Sequence, residues 1–339
     1  MSGLYLGIDT SNYKTSIAVT DSADNTVFER SEYLTVPEGS RGMRQSEAFF
    51  RHSCRLPDFF DEAFSLISAS DIQAVGVSSR PRRVEGSYMP CFLAGVNAAR
   101  EISSALGIHL HEFSHQEGHA AAIIEVNSSD DRSILFHLSG GTTEFLICRP
   151  DDNGFDLEIS GGTKDISIGQ LVDRAGVAMG YSFPSGMYLD FLAEEYYSGN
   201  SYKHIKPGLP RIRTDGYRFN LSGVETKVIR WIESASSEEY PFIAFSMFDR
   251  IAELLAASAA KLADDNDIRT VYMAGGVSAS SFLRRSILSK LSDTEHNSDD
   301  IPDIIFGEPS LSGDNAVGTA RLAHRINTAN ENGYCYPGK

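Results

Sequence analysis

Two histidines four residues apart are the first residues in this sequence that could do chemistry. They stand in Ser114-His115-Gln116-Glu117-Gly118-His119. On a helix, positions i and i+4 share one face, and two imidazoles there can hold one divalent cation. The same spacing suits a helix start with two hydrogen-bonded histidines. A cation needs a third ligand, and Asp314 in Ser312-Gly313-Asp314-Asn315 is the candidate; its plainer role is an N-cap carboxylate. The sequence lacks the glutamate of the HExxH pattern that serves zinc peptidases as a base, which argues against peptide hydrolysis.

Three turns have the composition of phosphate cradles: Asp9-Thr10-Ser11, Ser139-Gly140-Gly141-Thr142 and Met273-Ala274-Gly275-Gly276-Val277-Ser278. Such turns present successive backbone N–H groups and hydroxyls to an anion. Asp9 adds a carboxylate able to hold a metal-bound water. Gly275 and Gly276 let a purine or ribose approach the backbone. Lys14, just after the first turn, can meet a phosphate or sit solvated at a strand edge. The loop Ser79-Arg80-Pro81-Arg82-Arg83 is the main basic cluster. Its arginines suit a nucleic-acid backbone, a substrate carboxylate, a partner protein or plain solvent.

Hydrophobic periodicity supplies the elements that position these residues. Strands are expected at Leu4–Asp9, Thr15–Thr20, Asn25–Arg30 and Ile72–Ser78. Helices are expected at Gln45–Ile67, kinked or split at Pro57, and at Pro90–Leu106. A second strand trio follows at Ile134–Leu138, Thr143–Arg149 and Phe155–Ser160, then helices from Ile168 to Asp264 in four segments. Thr270–Met273 runs into Gly275 and Gly276, with a helix from about Ser280. Ile301–Phe306 is a last strand, and Asn315–Ile326 a closing helix. Strands alternating with helices indicate α/β layers. The two glycine- and hydroxyl-bearing hairpins lie roughly 130 residues apart, too far for a solenoid and suited to a duplicated domain.

The chain has 339 residues and a net charge of −16. That length favours two domains, with lobes at 1–130 and 131–339 and the closing helix packing back on the first. So acidic a chain repels nucleic acid at long range, so any RNA substrate requires a local basic patch or a basic partner. Four scattered cysteines give no disulfide framework or zinc ribbon. No signal peptide or membrane-spanning run is read, and the expected compartment is the cytoplasm.

The order hairpin, hairpin, strand–Gly–Gly–helix resembles the two phosphate loops and adenosine loop of the actin-like ATPase (ASKHA) fold, with a nucleotide cleft between duplicated lobes. Over Leu4 to Ala323 the chain further resembles the tRNA N6-adenosine threonylcarbamoyltransferase family (TsaD in bacteria). The matching segments are GIDTS at Gly7–Ser11, HQEGH at His115–His119, SGGTTE at Ser139–Glu144, Val172-Asp173, Gly186 in FPSG, NLSGVETK at Asn220–Lys227, MAGGVSA at Met273–Ala279 and GDNA at Gly313–Ala316. The resemblance implies a divalent metal, iron or zinc, on His115, His119 and Asp314. It implies a substrate phosphate or acyl group at Ser139, Gly140 and Gly141, ribose at Asp173 and nucleotide packing on Gly186. ATP or an acyl-adenylate is the implied nucleotide. The implied partners are tRNA, contacted through Arg80, Arg82 and Arg83, and proteins of the threonylcarbamoyl pathway. The sequence departs from the family where Asn12-Tyr13-Lys14 replaces an acidic pair, where Ser280 takes the nucleotide-binding place of an adenosine-loop asparagine, where Glu225 replaces a lysine, and in the arginine loop. These departures imply a divergent branch, for which another acyl acceptor or a non-catalytic scaffold role are the alternatives.

Overall fold

A computed structural model describes residues 3–11, 14–35, 43–124, 132–199, 207–293, 301–308, 311 and 316–331. Asn12, Tyr13 and Asp314 therefore lie outside the described residues. The described chain forms two compact units. The first takes the residues up to 124, the segment Arg149–Leu157 and the final helix; the second takes the rest.

The first unit is a five-stranded sheet ordered β3-β2-β1-β4-β5. Its strands are β1 (Leu4–Asp9), β2 (Lys14–Asp21), β3 (Thr26–Tyr33), β4 (Ile72–Arg80) and β5 (His109–Ser114). β1 runs antiparallel to β2 but parallel to β4, which runs parallel to β5. The helices are α1 (Gln45–Leu66), α2 (Phe92–Leu106) and α3 (His115–Ile123). Leu6, Ile8, Ile17, Val75 and Val77 are fully buried in its core with Phe59, Val96 and Ala99 from α1 and α2. Pro57 stands inside α1, and of the two expected outcomes, kink or split, the split does not occur: the helix continues from Gln45 to Leu66. β5 is not anticipated by the sequence reading. As a partly exposed edge strand, HLHEFS shows neither the apolar run nor the clean alternation of a buried one.

The second unit repeats that topology. Its sheet is ordered β12-β11-β6-β7-β8-β10-β9, from β6 (Ser133–Leu138), β7 (Thr143–Asp151), β8 (Gly154–Thr163), β9 (Thr214–Asp215), β10 (Arg218–Phe219), β11 (Thr270–Ala274) and β12 (Asp303–Phe306). β6 pairs antiparallel with β7 and parallel with β11, which pairs parallel with β12. The run β8-β7-β6-β11-β12 thus matches β3-β2-β1-β4-β5 strand for strand. The helices are α4 (Ile168–Ala178), α5 (Gly186–Gly199), α6 (Ser222–Ser234), α7 (Tyr240–Asn266) and α8 (Ser281–Ser292). α7 is central, burying Phe245, Phe248, Ile251, Leu255 and Leu262 among others. Among the described residues no helix is long and apolar enough to cross a membrane.

Asp165 ties α6 to the end of β8. Its carboxylate accepts hydrogen bonds from Leu221 N (2.8 Å), Ser222 N (3.0 Å) and Thr163 Oγ1 (3.0 Å). Partial burial pushes its pKa up, but these donors outweigh that and hold it at about 2, below the ordinary 3.8. Its folded pKa is depressed, so its stabilising contribution is complete above about pH 4 and lost as pH falls through about 2. In urea titrations, the advantage of the native chain over Asp165→Asn should shrink steadily across that window.

Candidate functional site

The carboxyl ends of β1, β4 and β5 lie side by side in the parallel part of the first sheet, the edge where open α/β sheets bind ligands. Asp9 ends β1, Ser78 lies near the end of β4, and Ser114 ends β5 and starts α3. Ser114 is a reciprocal N-cap: its hydroxyl accepts from Glu117 N, and Glu117 Oε2 accepts from Ser114 N at 2.8 Å. That box fixes the first turn of α3, which carries both histidines.

His115 and His119 come together as their spacing predicts. Their Nε2 atoms stand 2.9 Å apart. His115 Nδ1 lies 2.8 Å from Asp9 Oδ2, and that oxygen also accepts from Ser78 Oγ at 2.5 Å. Asp9 is only 1% exposed. Burial pushes its pKa up, but the His115 charge and the hydrogen bonds from His115, Ser11 and Ser78 win, so the carboxyl sits below its usual range. An ionised carboxylate only accepts, so His115 Nδ1 carries the proton of that contact, which leaves Nε2 as the ring nitrogen that faces His119. A histidine backed by a carboxylate is the arrangement of metal-bound imidazoles. Two Nε2 atoms converging, one so backed, fit a divalent cation. Among the described residues no cluster of three or more His, Cys, Asp or Glu side chains completes such a site.

The final helix, α9 (Val317–Glu331), packs against β1, β4 and α3. Ala316 N donates to Ser16 Oγ at 3.0 Å, and Thr319 Oγ1 lies 3.4 Å from Ser78 Oγ. Gly7 and Gly76 leave room for this helix. A Cβ on Gly7 would fall 2.2 Å from Ala316 O, and one on Gly76 2.4 Å from Thr319 O.

The other residues of the first turn have varied employment. Thr10 Oγ1 donates to Cys91 O at 3.1 Å and accepts from Gly95 N at 3.2 Å, so it serves the start of α2. Ser11 N donates to Asp9 Oδ1, while its buried Oγ has no hydrogen-bond partner among the described residues. Lys14 Nζ lies over the Tyr33 ring, 5.4 Å from its centroid. Arg83 Nη1 bonds Asp151 Oδ2 at 2.6 Å and Phe155 O at 3.1 Å. Arg80 Nη1 reaches Ser79 Oγ at 3.2 Å. Arg82 N donates to Ser87 Oγ.

In the second unit, the two remaining turns meet at the carboxyl ends of β6 and β11. Gly275 has φ of +99°, and a Cβ there would lie 2.3 Å from Leu138 O. Ser167, the N-cap of α4, donates to Gly140 O at 2.7 Å. Gly169 leaves so little room that a Cβ would stand 2.5 Å from Ser139 O. Gly140, Gly141 and Gly276 face open space, with no atom within 4 Å of a built Cβ. Exposed N–H groups beside a helix N-terminus make an anion cradle. Ser139 Oγ accepts from Thr142 N at 3.0 Å and holds the turn closed. Asp173 on α4 accepts from Ser185 N through Oδ1 at 2.8 Å, which fixes the loop before Gly186. A Cβ on Gly186 would touch only Val172 Cγ1, at 3.8 Å. Ser280 is a helix cap: its Oγ accepts from Leu283 N and donates to Asp190 Oδ1. Gly275→Ala, at a strained φ and against a carbonyl, should cost about 3 kcal/mol, read by denaturant unfolding.

Sequence reasoning found the histidine pair and all three turns but missed Ser78 and the Asp9–His115 bond. Parallel pairing of β1 with β4, and of β4 with β5, is the signal that brings these distant residues together.

Repeated strand order, a glycine turn after β6 and another after β11 define an actin-like fold. Solved structures agree. The chain superposes on HypF of T. kodakarensis with a TM-score of 0.59 at 13% identity, covering 97% of this chain and 48% of HypF. It superposes on the (R)-2-hydroxyglutaryl-CoA dehydratase component A of Acidaminococcus fermentans with a TM-score of 0.53 at 14% identity, covering 96% and 100%. Within that class the chain belongs to the TsaD family, described as tRNA N6-adenosine threonylcarbamoyltransferase, whose model matches residues 27–320. Relatives of that name include one from Thermosipho africanus, 28% identical with 89% of each chain covered, and one from Thermotoga neapolitana, 25% identical with 94% of this chain and 93% of that protein covered.

Proposed function

We propose that this protein transfers a threonylcarbamoyl group from threonylcarbamoyl-adenylate to the exocyclic amine of the tRNA adenosine 3′ to the anticodon. The observation that carries the reading is the pair of Nε2 atoms 2.9 Å apart, one imidazole held by buried Asp9. His115 and His119 would hold the divalent metal, iron or zinc, with Asp314 as third ligand. When bound, the metal supplies Lewis acidity toward the carbamoyl carbonyl. Asp9 keeps the proton on His115 Nδ1 and so aims Nε2. The N–H groups of Gly140 and Gly141 stabilise charge that develops on the acyl or phosphate oxygens. Asp173 meets the ribose, and Gly186, Gly275 and Gly276 let the nucleoside lie close to the backbone. AMP leaves readily, so holding amine and carbonyl together supplies much of the acceleration.

Arg80 and Arg82 remain the proposed tRNA contacts of the loop, with protein partners of the same pathway supplying further positive surface. Arg83 is engaged with Asp151. That engagement, with the net charge of −16, favours a second reading in which the acyl acceptor is a small molecule. Purified metal-loaded protein, labelled donor and a tRNA transcript separate the two. Transfer to tRNA that weakens steeply as salt rises supports the first reading. Transfer to small amines without tRNA labelling supports the second.

A further inference from the structure

Glu117 and Arg83 meet at the tip of the β7–β8 hairpin. Glu117 is 1% exposed. Its Oε2 accepts from Ser114 N and Oγ at 2.8 and 2.7 Å, and its Oε1 accepts from Phe155 N at 3.4 Å. Arg83 Nη1 lies 3.6 Å from the same Oε1 while bonding Asp151 Oδ2 and Phe155 O. Gly154, at φ of +137°, brings the tip so close that a Cβ would fall 2.6 Å from Glu117 Oε1. Arg325 of α9 donates to Gly154 O and stacks its guanidinium 4.6 Å from the Phe155 ring centroid.

The tip is thus clasped by the arginine loop, by the first turn of α3 and by α9. Burying Glu117 as an anion requires a nearby cation and donors, and among the described residues Arg83 is the cation that pairs with it. Glu117 lies between His115 and His119 on α3, two residues from each. Glu117 closes the capping box with Ser114, so whatever holds Glu117 holds the first turn of α3, from which His115 projects, and the start of the helix that carries His119. We propose that Arg83, through Glu117 and the hairpin tip, is a positioning residue for the histidine pair and not a contact for RNA. The proposal deepens the metal reading of His115 and His119 and rests on it.

The test compares the full-length chain with Arg83→Gln, Arg83→Lys and Arg149→Gln. The last removes an exposed ion pair with Asp156 on the same hairpin. Cobalt(II) affinity and the imidazole 15N signals of the metal-free protein are the readouts. Arg83→Gln should weaken cobalt binding by about 10- to 100-fold, the usual effect of losing an outer-shell partner, and should move the His115 and His119 signals. Arg149→Gln should change neither. Cobalt affinity within about threefold of the native chain in Arg83→Gln, with unmoved imidazole signals, overturns the proposal. Should that variant fail to fold, Arg83→Lys carries the test. The contacts of Arg83 to Asp151, Phe155 and Glu117 all run through Nη1, and a lysine ammonium on a shorter stem should keep only part of them, so a smaller loss in the same direction is expected there and unchanged affinity and signals overturn the proposal equally. Absence of cobalt binding in the native chain defeats the metal reading instead. The imidazole signals then decide the positioning role alone.

Discussion

Replacing His115 or His119 by alanine is expected to lower threonylcarbamoyl transfer by on the order of 10²- to 10³-fold, the equivalent of several kcal/mol of lost charge stabilisation. Each histidine supplies one of two nitrogens that converge within 2.9 Å. Neither belongs to the apolar core of its unit, but His115→Ala leaves the buried Asp9 carboxylate without its imidazole partner, so thermal stability should fall in that variant and change less in His119→Ala. Asp9→Asn should cost less, about 10- to 100-fold. The amide can still accept a hydrogen bond from Nδ1, but it can also donate, and it removes the charge that favours one tautomer of His115. Transfer rates and metal content of the three variants, measured together, check this ranking. An Asp9→Asn variant worse than His115→Ala would contradict it.

The largest structural effect is expected at Gly318. A Cβ built there lies 1.9 Å from Gly118 O and 2.6 Å from Ala122 N. Both obstacles are backbone atoms of α3, so no side chain can swing away. Gly318→Ala must push α9 off α3, and it should cost about 3 kcal/mol or more. The displacement reaches the site, because α9 also abuts β1 and β4 beside Asp9 and Ser78. Thermal unfolding and metal affinity should therefore fall together. Gly141→Ala is the contrast: it meets open space, so its effect should be confined to nucleotide or acyl binding.

The elements most legible in the sequence are those with dense apolar patterning. β1 and β6 are buried along nearly their whole length, and their apolar runs announce them. The i, i+4 histidine spacing likewise places both rings on one helical face, as found. What escaped reading depends on pairing between distant segments. His115 and Asp9 are 106 residues apart, and only the parallel register of β1, β4 and β5 joins them. The Thr10 hydroxyl also bonds Cys91 O and Gly95 N at the start of α2, and the Ser280 hydroxyl caps α8, pairings with distant segments that local sequence does not show. Arg83 reads as a free cation in a basic loop, because its partners Asp151 and Glu117 come from a hairpin and a helix well beyond that loop.

Nucleoside mass spectrometry of tRNA tests the central claim most directly, in cells where this chain replaces the resident threonylcarbamoyl transferase. Persistence of threonylcarbamoyladenosine with the native chain, and its loss with the His115→Ala, His119→Ala double variant, is the predicted result. Loss of the nucleoside with the native chain, or its persistence with the double variant, would contradict the account.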